Sequence, residues 1–354
     1  MPELTFAEHG GWPVILGSLM GGGSLTRDQA RSVMTEVLDG AASPAQIAAF
    51  MVALRMKGET VEELVGMVDA MLAASTPVEI DTSGPVVDLV GTGGDRAHTI
   101  NVSTISALVV AGAGGKVCKH GGQAASSACG SADLLEALGV AITLGPAGVA
   151  RCVEEAGIGF CFAPRYHPAM RHAGPSRRDL GVPTAFNILG PLSNPGRVRR
   201  YLIGVADERM AERMAGVLEA NGAIRALIVH GDDGLDELTT TGPSTVVELH
   251  DGVVSTWTVD PGALGLARAD REDLVGGDAQ VNADLARRVL AGEPGAHRDI
   301  VSLNAGGGLL AAGLVPDLAA GIAAARASID SGAAVAALHA LVEVSQRELA
   351  GEAG

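Results

Sequence analysis

Aromatic side chains are scarce in this chain: 3% of its residues, with 5 Phe, 2 Tyr and 2 Trp. A core short of large rings has to be built from Ala, Val, Leu, Ile and Met. Together with 49 glycines, these small residues suit helices packed closely on a parallel sheet. Basic charge is also in deficit, with 25 Lys and Arg against 41 Asp and Glu and a formal net charge of −16. A field of that sign argues against nucleic acid or an anionic membrane as a general partner. It leaves room for a small anionic ligand held by local N–H groups and a few cations. Cysteine is limited to Cys118, Cys129, Cys152 and Cys161, and no Cys-x-x-Cys pair marks a zinc or redox site. Such residues fit free thiols used as small apolar side chains in a reducing compartment. No charged-then-apolar leader is present, and no uncharged apolar run reaches the ~18–20 residues of a membrane span. The widest run, Ile105–Gly115, is too short and too rich in glycine. A soluble, cytoplasmic protein is expected.

What is present falls into two patterns. At 354 residues the chain can form one large domain or two ordinary ones. Up to Pro77 it reads as helical. Thr26 with Gln29, Ser43-Pro44 with Gln46, and Thr60 with Glu63 are helix-start signals. Each is followed by an apolar stripe, such as Ala30, Val33, Met34, Val37 and Leu38 after the first. Residues 1–23 carry little signal, and Gly21–Gly23 reads as a break. The expectation is a three- or four-helix unit over residues 1–77.

From residue 78 to 354 the pattern becomes α/β, with a mainly parallel central sheet flanked by helices. Strands are expected at Val86–Val90, Lys116–Lys119, Ala141–Thr143, Gly159–Cys161, Tyr201–Val205, Ala226–His230, Ser244–Leu249 and Val253–Val259. Helices are expected at Ser103–Ala113, Ser131–Leu138, Pro146–Ala156, His167–Leu180 and Glu208–Asn221. Beyond Gly277 the chain reads as alanine-rich helix with a break at Gly306–Gly308.

Four loops carry chemistry. Gly91-Thr92-Gly93-Gly94-Asp95 follows a strand directly. It lacks the third glycine of a dinucleotide fingerprint and the Gly-Lys-Ser/Thr of a P-loop. Its sequel, Asn101-Val102-Ser103-Thr104, sets an amide and two hydroxyls at a helix start, which suits an anion or phosphate; an ordinary N-cap is the simpler use. The second loop, Lys119-His120-Gly121-Gly122 with Ser126, Ser127 and Ser131, repeats that logic with a point charge added. The third, Asp232-Asp233-Gly234-Leu235-Asp236-Glu237, offers carboxylates of the kind Mg2+ takes beside phosphate, or a plain exposed turn. The fourth is Tyr166-His167-Pro168-Ala169-Met170-Arg171 with Arg177, then Phe186-Asn187-Ile188-Leu189-Gly190-Pro191-Leu192. Positions 167, 170, 171, 174 and 178 lie roughly on one helical face, with 177 on the flank of 170 and 174; an arginine there suits a carboxylate, and a basic surface helix is the plainer reading.

The set VGTGGD, NVST, KHG, SADLLEALG, FAPRYHPAM, FNILGPLSNP, HGDDGLDE and GGDAQVNADLARRVLAG closely resembles the anthranilate phosphoribosyltransferase family, from about Leu25 to Glu348. The resemblance implies a small helical domain, joined by helices from about residues 164–192, on a larger α/β domain, and a homodimer formed through the helical domain. It implies Mg2+-assisted transfer of the phosphoribosyl group of phosphoribosyl pyrophosphate to the amino nitrogen of anthranilate, a step of tryptophan biosynthesis. By residue, it implies that Gly91, Thr92, Gly94, Asp95, Asn101, Ser103, Thr104, Lys119 and Ser131 hold phosphoribosyl pyrophosphate. Ser103, Asp236 and Glu237 serve the metal. His120, Gly122, Ala163, Pro164, His167, Met170, Arg177, Asn187 and Gly190 line the acceptor side, with His120, His167 and Arg177 acting by positioning. The family usually reads Lys-His-Gly-Asn-Arg where this chain has Lys119-His120-Gly121-Gly122-Gln123. That departure leaves a different aromatic amine or carboxylate acceptor open. A non-catalytic, ligand-binding homologue is the remaining alternative, although Ser103, Lys119, Asp236 and Glu237 all survive.

Overall fold

The computed structural model describes residues 4–123 and 128–352. Its N-terminal part is a helical bundle of α1 (Gly11–Met20), α2 (Arg27–Leu38), α3 (Pro44–Lys57) and α4 (Val61–Ala74). All three start signals are complete capping boxes: Thr26, Ser43 and Thr60 each accept from the backbone N–H three residues on, and that residue's side chain returns the bond. Glu63 does more than cap. It is fully buried, accepts from Leu25 N at 2.8 Å, and pairs with Lys57 at 2.8 Å. The apolar stripes face inward, with Val33, Met34, Phe50, Leu54, Leu64 and Met67 buried. α1 went unpredicted because its sequence, GWPVILGSLM, is apolar nearly all round and carries no start signal.

The rest is a seven-stranded sheet: β1 (Val86–Gly91), β2 (Lys116–Gly121), β3 (Ile158–Phe162), β4 (Arg200–Gly204), β5 (Arg225–Gly231), β6 (Ser244–His250) and β7 (Val253–Val259). The strand order is β3-β2-β1-β4-β5-β6-β7. The first five strands are parallel, and β6 and β7 add an antiparallel hairpin. Helices α5 (Val102–Gly112), α6 (Ser131–Ala137), α7 (Pro146–Ala156), α11 (Ala211–Ala220), α12 (Ala279–Leu290), α13 (Ala296–Ala312), α14 (Leu318–Asp330) and α15 (Ala333–Glu352) accompany it.

Three expectations fail here. Ala141–Thr143 is not a strand. Val140, Ala141 and Ile142 are buried in a connection whose Ala141 N–H donates to Ser345 of α15 at 3.1 Å, so the run packs under a helix instead of joining the sheet. The segment His167–Leu180 is not one helix. After α8 (Ala163–Tyr166), it breaks into a 3-10 turn at Pro168–His172 and α9 (Gly174–Leu180), followed by α10 (Phe186–Leu192). Pro168 and Pro175 lack the N–H groups that a continuous helix needs, so residues 167, 170, 171, 174 and 178 do not form one helical face. Gly306–Gly308 is no break but the middle of α13. A Cβ on Gly306 would lie 2.7 Å from Ile322 N, and one on Gly308 would lie 2.9 Å from Leu89 Cδ2. These glycines let α13 lie against both α14 and the sheet.

The segment between β3 and β4 leaves the sheet. α9 meets α3, where Ser176 Oγ donates to Pro44 O at 3.2 Å, and α10 packs on α4. Among the described residues, no single helix is long and apolar enough to cross a membrane.

Candidate active site

Because β1 connects onward to β2 on one side and is flanked by β4 on the other, the chain reverses direction across the sheet at β1. Ligands of open parallel sheets gather at the carboxyl ends of strands at such a switch point. Glycines end β1, β2, β4 and β5 there. Two of them are required by close approach: a Cβ on Gly91 would collide with the Asp236 carboxylate, and one on Gly204 with the Asp236 carbonyl. The acidic segment therefore crosses directly over the ends of β1 and β4.

That crossing ties the first glycine loop to the third. Gly93 N donates to Asp236 Oδ2 at 2.7 Å, and Ser103 N donates to Glu237 Oε1 at 3.0 Å. Thr92 is fixed by its own N–H to Gly204 O (2.9 Å) and by Ala206 N to its hydroxyl (3.2 Å). Gly93 and Gly94 have φ of +68° and +88° with open space where a Cβ would point, so their backbone is free to face a ligand. The simple N-cap alternative is answered here. Asn101 holds the N-cap position of α5 but makes no capping bond, and Glu237 satisfies the Ser103 N–H instead. The Thr104 hydroxyl is buried with no partner among the described residues.

Lys119, 2% exposed, donates to Leu89 O and to Ser103 Oγ (3.3 Å). Burial pulls its pKa down, opposed by Asp88 and Glu237. Burial and the neighbouring Asp95 and Glu237 push Asp236 well above the usual carboxylate range. Glu237 rises to about 8, chiefly by burial and against the pull of Lys119. Ser131 Oγ donates to Gly122 O at 3.2 Å, closing the second loop onto α6. Ser126 and Ser127 lie outside the described residues. Asp233 belongs to the scaffold: its carboxylate accepts from Thr239 (3.0 Å), Thr241 (2.6 Å) and Leu235 N (3.2 Å).

Two residues missed in the sequence lie beneath this site. Asp88, wholly buried in β1, accepts from Asn194 Nδ2 at 2.7 Å and from His120 N at 3.2 Å. Burial raises its carboxyl to about 6. The only available signal was one acid inside the apolar run VVDLV, and Asn194 gave none.

On the other side, the structure joins His120, His167 and Gly190 directly. His120 Nδ1 donates to Gly190 O at 3.1 Å, and His167 Nε2 donates to Ser193 O at 2.9 Å. The rings are 5.1 Å apart. Since carbonyls only accept, both tautomers are set, and His120 Nε2 is left buried with a bare lone pair. Burial holds His120 at about 3, helped by His167, and holds His167 at about 4. Both rings are neutral. A Cβ on Gly122 would meet only Ala163, at 3.9 Å. Pro164 opens α8, Met170 sits in the 3-10 turn, and Asn187 closes the start of α10 by accepting from Thr184 N at 3.1 Å. Arg177, on α9, is half-buried, and its guanidinium has no hydrogen bond or ion pair among the described residues; burial lowers its pKa.

Hard oxygen donors whose pKa values are raised chiefly by burial fit a hard divalent cation. Among the described residues no three His, Cys, Asp or Glu side chains converge on one point. Such a cation would therefore take its other ligands from phosphate and water, as Mg2+ commonly does.

Known proteins resemble this chain along nearly its whole length. Residues 83–335 match the "Glycosyl transferase family, a/b domain" and residues 13–75 its "helical bundle domain". The anthranilate phosphoribosyltransferase of Chloroflexus aggregans is 53% identical over 326 residues, 92% of this chain and 95% of its own. The crystal structure of the enzyme from Thermus thermophilus superposes with a TM-score of 0.89 at 43% identity, covering 94% of this chain and 99% of the other. The Saccharomyces cerevisiae enzyme in complex with PRPP and Mg gives 0.85 at 26% identity, over 95% and 98%. The same yeast enzyme with 4-fluoroanthranilate gives 0.85 at 25%, over 96% and 99%. The chain belongs to the anthranilate phosphoribosyltransferase family.

Proposed function

We propose that the protein transfers the phosphoribosyl group of phosphoribosyl pyrophosphate to the amino nitrogen of anthranilate, a step toward tryptophan. The observation that carries this is the crossing of Asp236 and Glu237 over the first glycine loop. The backbone at Gly91, Thr92 and Gly94, with Asp95, Asn101, Ser103, Thr104, Lys119 and Ser131, binds the phosphates and ribose. Asp236, Glu237 and the Ser103 hydroxyl hold Mg2+, which when bound neutralises the departing pyrophosphate. Lys119 adds a point charge, and preset N–H groups need no reorganisation as negative charge builds on the leaving oxygen.

Arg177 takes the acceptor carboxylate in a two-pronged bond. The His120 Nε2 lone pair accepts from the acceptor amine and aims its nitrogen at the ribose carbon. With a pKa of about 3, His120 orients the amine and does not hold its proton. As the carbon–oxygen bond to pyrophosphate breaks, the carbon–nitrogen bond forms and the nitrogen's extra proton passes to solvent. His167, Met170, Asn187, Gly190, Ala163 and Pro164 shape the acceptor side.

The 53% identity across 92% of the chain supports anthranilate over a different acceptor, despite Gly122 and Gln123. Residues 1–77, with the helices of 164–192, are taken as one domain and residues 78–354 as the other. A homodimer through the helical domain fits Val14, Met20 and Met56, which are 52%, 80% and 83% exposed. Four buried cysteines, none of them in a disulfide, fit a cytoplasmic setting.

The test is pyrophosphate release from phosphoribosyl pyrophosphate and Mg2+ with a panel of aryl amino acids. Turnover with anthranilate is expected. Release only with another acceptor overturns the substrate, and no release with any acceptor overturns the activity.

A further inference from the structure

The motif Gly276-Gly277-Asp278-Ala279-Gln280-Val281-Asn282 has no part in the function above, yet it is bound to the phosphate side by both backbone and side chain. Ile100 N donates to Leu274 O at 3.1 Å and Gly276 N to His98 O at 2.9 Å, so the segment pairs with the stretch leading into Asn101. Asn282, 1% exposed on α12, then reaches Asn101 itself. Gly277 N donates to Asn282 Oδ1 (2.7 Å), Asn282 Nδ2 to Asn101 Oδ1 (2.9 Å), and Asn101 Nδ2 to Cys129 O (3.0 Å).

The direction of this relay is dictated from both ends. A backbone N–H can only donate and a backbone carbonyl can only accept, so neither carboxamide can flip without setting like poles together. The relay also explains why Asn101 leaves its own helix uncapped, against the habit of asparagine at that position. Its amide instead joins the start of α5, which follows the first glycine loop, to Cys129-Gly130 at the end of the second. Gly276 is part of the fit, because a Cβ there would collide with Asn282 Oδ1.

We propose that Asn282 is a positioning residue for phosphoribosyl pyrophosphate: it fixes the carboxamide of Asn101 and so the spacing of the two phosphate-side loops. The inference rests on the function proposed above. Its effect falls on one substrate, since nothing in the relay touches His120, Gly122 or Arg177.

Steady-state kinetics in both substrates, with calorimetric binding of phosphoribosyl pyrophosphate and Mg2+, tests it in Asn282→Ala, the isosteric Asn282→Asp, and Gly276→Ala. The last variant keeps the amide but displaces it. The expected result is a KM and Kd for phosphoribosyl pyrophosphate raised about tenfold, with kcat within about threefold and the anthranilate KM unchanged. Asn282→Asp should be no milder than Asn282→Ala, because it reverses polarity without changing shape. Wild-type phosphoribosyl pyrophosphate kinetics in Asn282→Asp, or a loss spread equally over kcat and both KM values, overturns the proposal. If Asn282 variants do not fold, Gly276→Ala decides alone, by the same split. Failure of the wild-type enzyme to turn over anthranilate is a separate result, and it overturns the proposed function.

Discussion

Where the first glycine loop meets Asp236 and Glu237, most polar groups are already bonded within the protein: Gly93, Thr92, Ser103 and Lys119 all have partners before any ligand arrives, and the Thr104 hydroxyl is the exception among the described residues there. By contrast, Arg177 on α9 has none among the described residues, and His120 at the end of β2 keeps Nε2 bare. The proposed phosphate side is cross-linked by its own carboxylates, while the proposed acceptor side keeps two groups without a partner among the described residues. A triphosphorylated sugar offers many equivalent oxygens and suits a fixed lattice of N–H groups. An aryl amino acid offers one carboxylate and one amine, and is recognised by a few groups left waiting for it.

The largest effect expected is from Asp236→Asn. The amide keeps an oxygen for Gly93 N–H but removes the charge, so kcat/KM should fall about a thousandfold. Calorimetry without Mg2+ should show an unchanged or higher Tm, because a buried repulsion is relieved. A fall in both would mean that the carboxylate is structural. Next, Arg177→Met should raise the anthranilate KM by roughly 30- to 100-fold, as loss of a charged hydrogen bond of about 2–3 kcal/mol predicts. Its phosphoribosyl pyrophosphate KM should stay put. An equal rise in both would erase the contrast between the two sides.

A smaller effect concerns acid stability. His120 and His167 are held at about 3 and about 4, so between those values and about 6.5 the unfolded chain binds protons that the folded chain refuses. Stability should therefore drop as pH falls through that window, by up to about 1.4 kcal/mol per pH unit for each ring. Asp88, raised to about 6, Glu237, raised to about 8, and Asp236, raised as well, run the other way, so the comparison must be between proteins. Urea unfolding of His120→Gln from pH 4.5 to 7 should show a less positive dependence of stability on pH than wild type; equal slopes would mean that this ring titrates normally. The smallest change expected is from Gly122→Asn, which enters open space beside Ala163. It should lower the anthranilate KM about two- to fivefold, one neutral hydrogen bond's worth, with no change in Tm. A larger gain would mean that the acceptor side is less complete than Arg177 and His120 suggest.

Features that depend on near neighbours in sequence were legible. The three capping boxes, the strand starts and the glycine loops each announce themselves within a few residues. Features that depend on distant partners were not. Ala141–Thr143 has strand composition, but Ser345 claims its N–H. Gly306–Gly308 looks like a helix breaker until Leu89 and Ile322 are seen to need the room. Asp88 is a single acid in an apolar strand and Asn282 one polar residue among several at the start of α12, and their meaning lies in Asn194, His120 and Asn101. The candidate site residues were proposed through resemblance as a set; their wiring needed the fold.

The capping boxes have a consequence for how the chain is made. Contacts within α2–α4 are close in sequence, so the bundle can form as soon as those helices emerge. β1 must wait for β4, Val87 for Arg200, and long-range parallel pairing is slow. During synthesis, an early-folded bundle would stand beside an unpaired β1 edge, which is the kind of exposed strand that invites misassembly. Refolding yield should therefore fall with protein concentration through the α/β part, while a fast, concentration-independent helical phase reports the bundle.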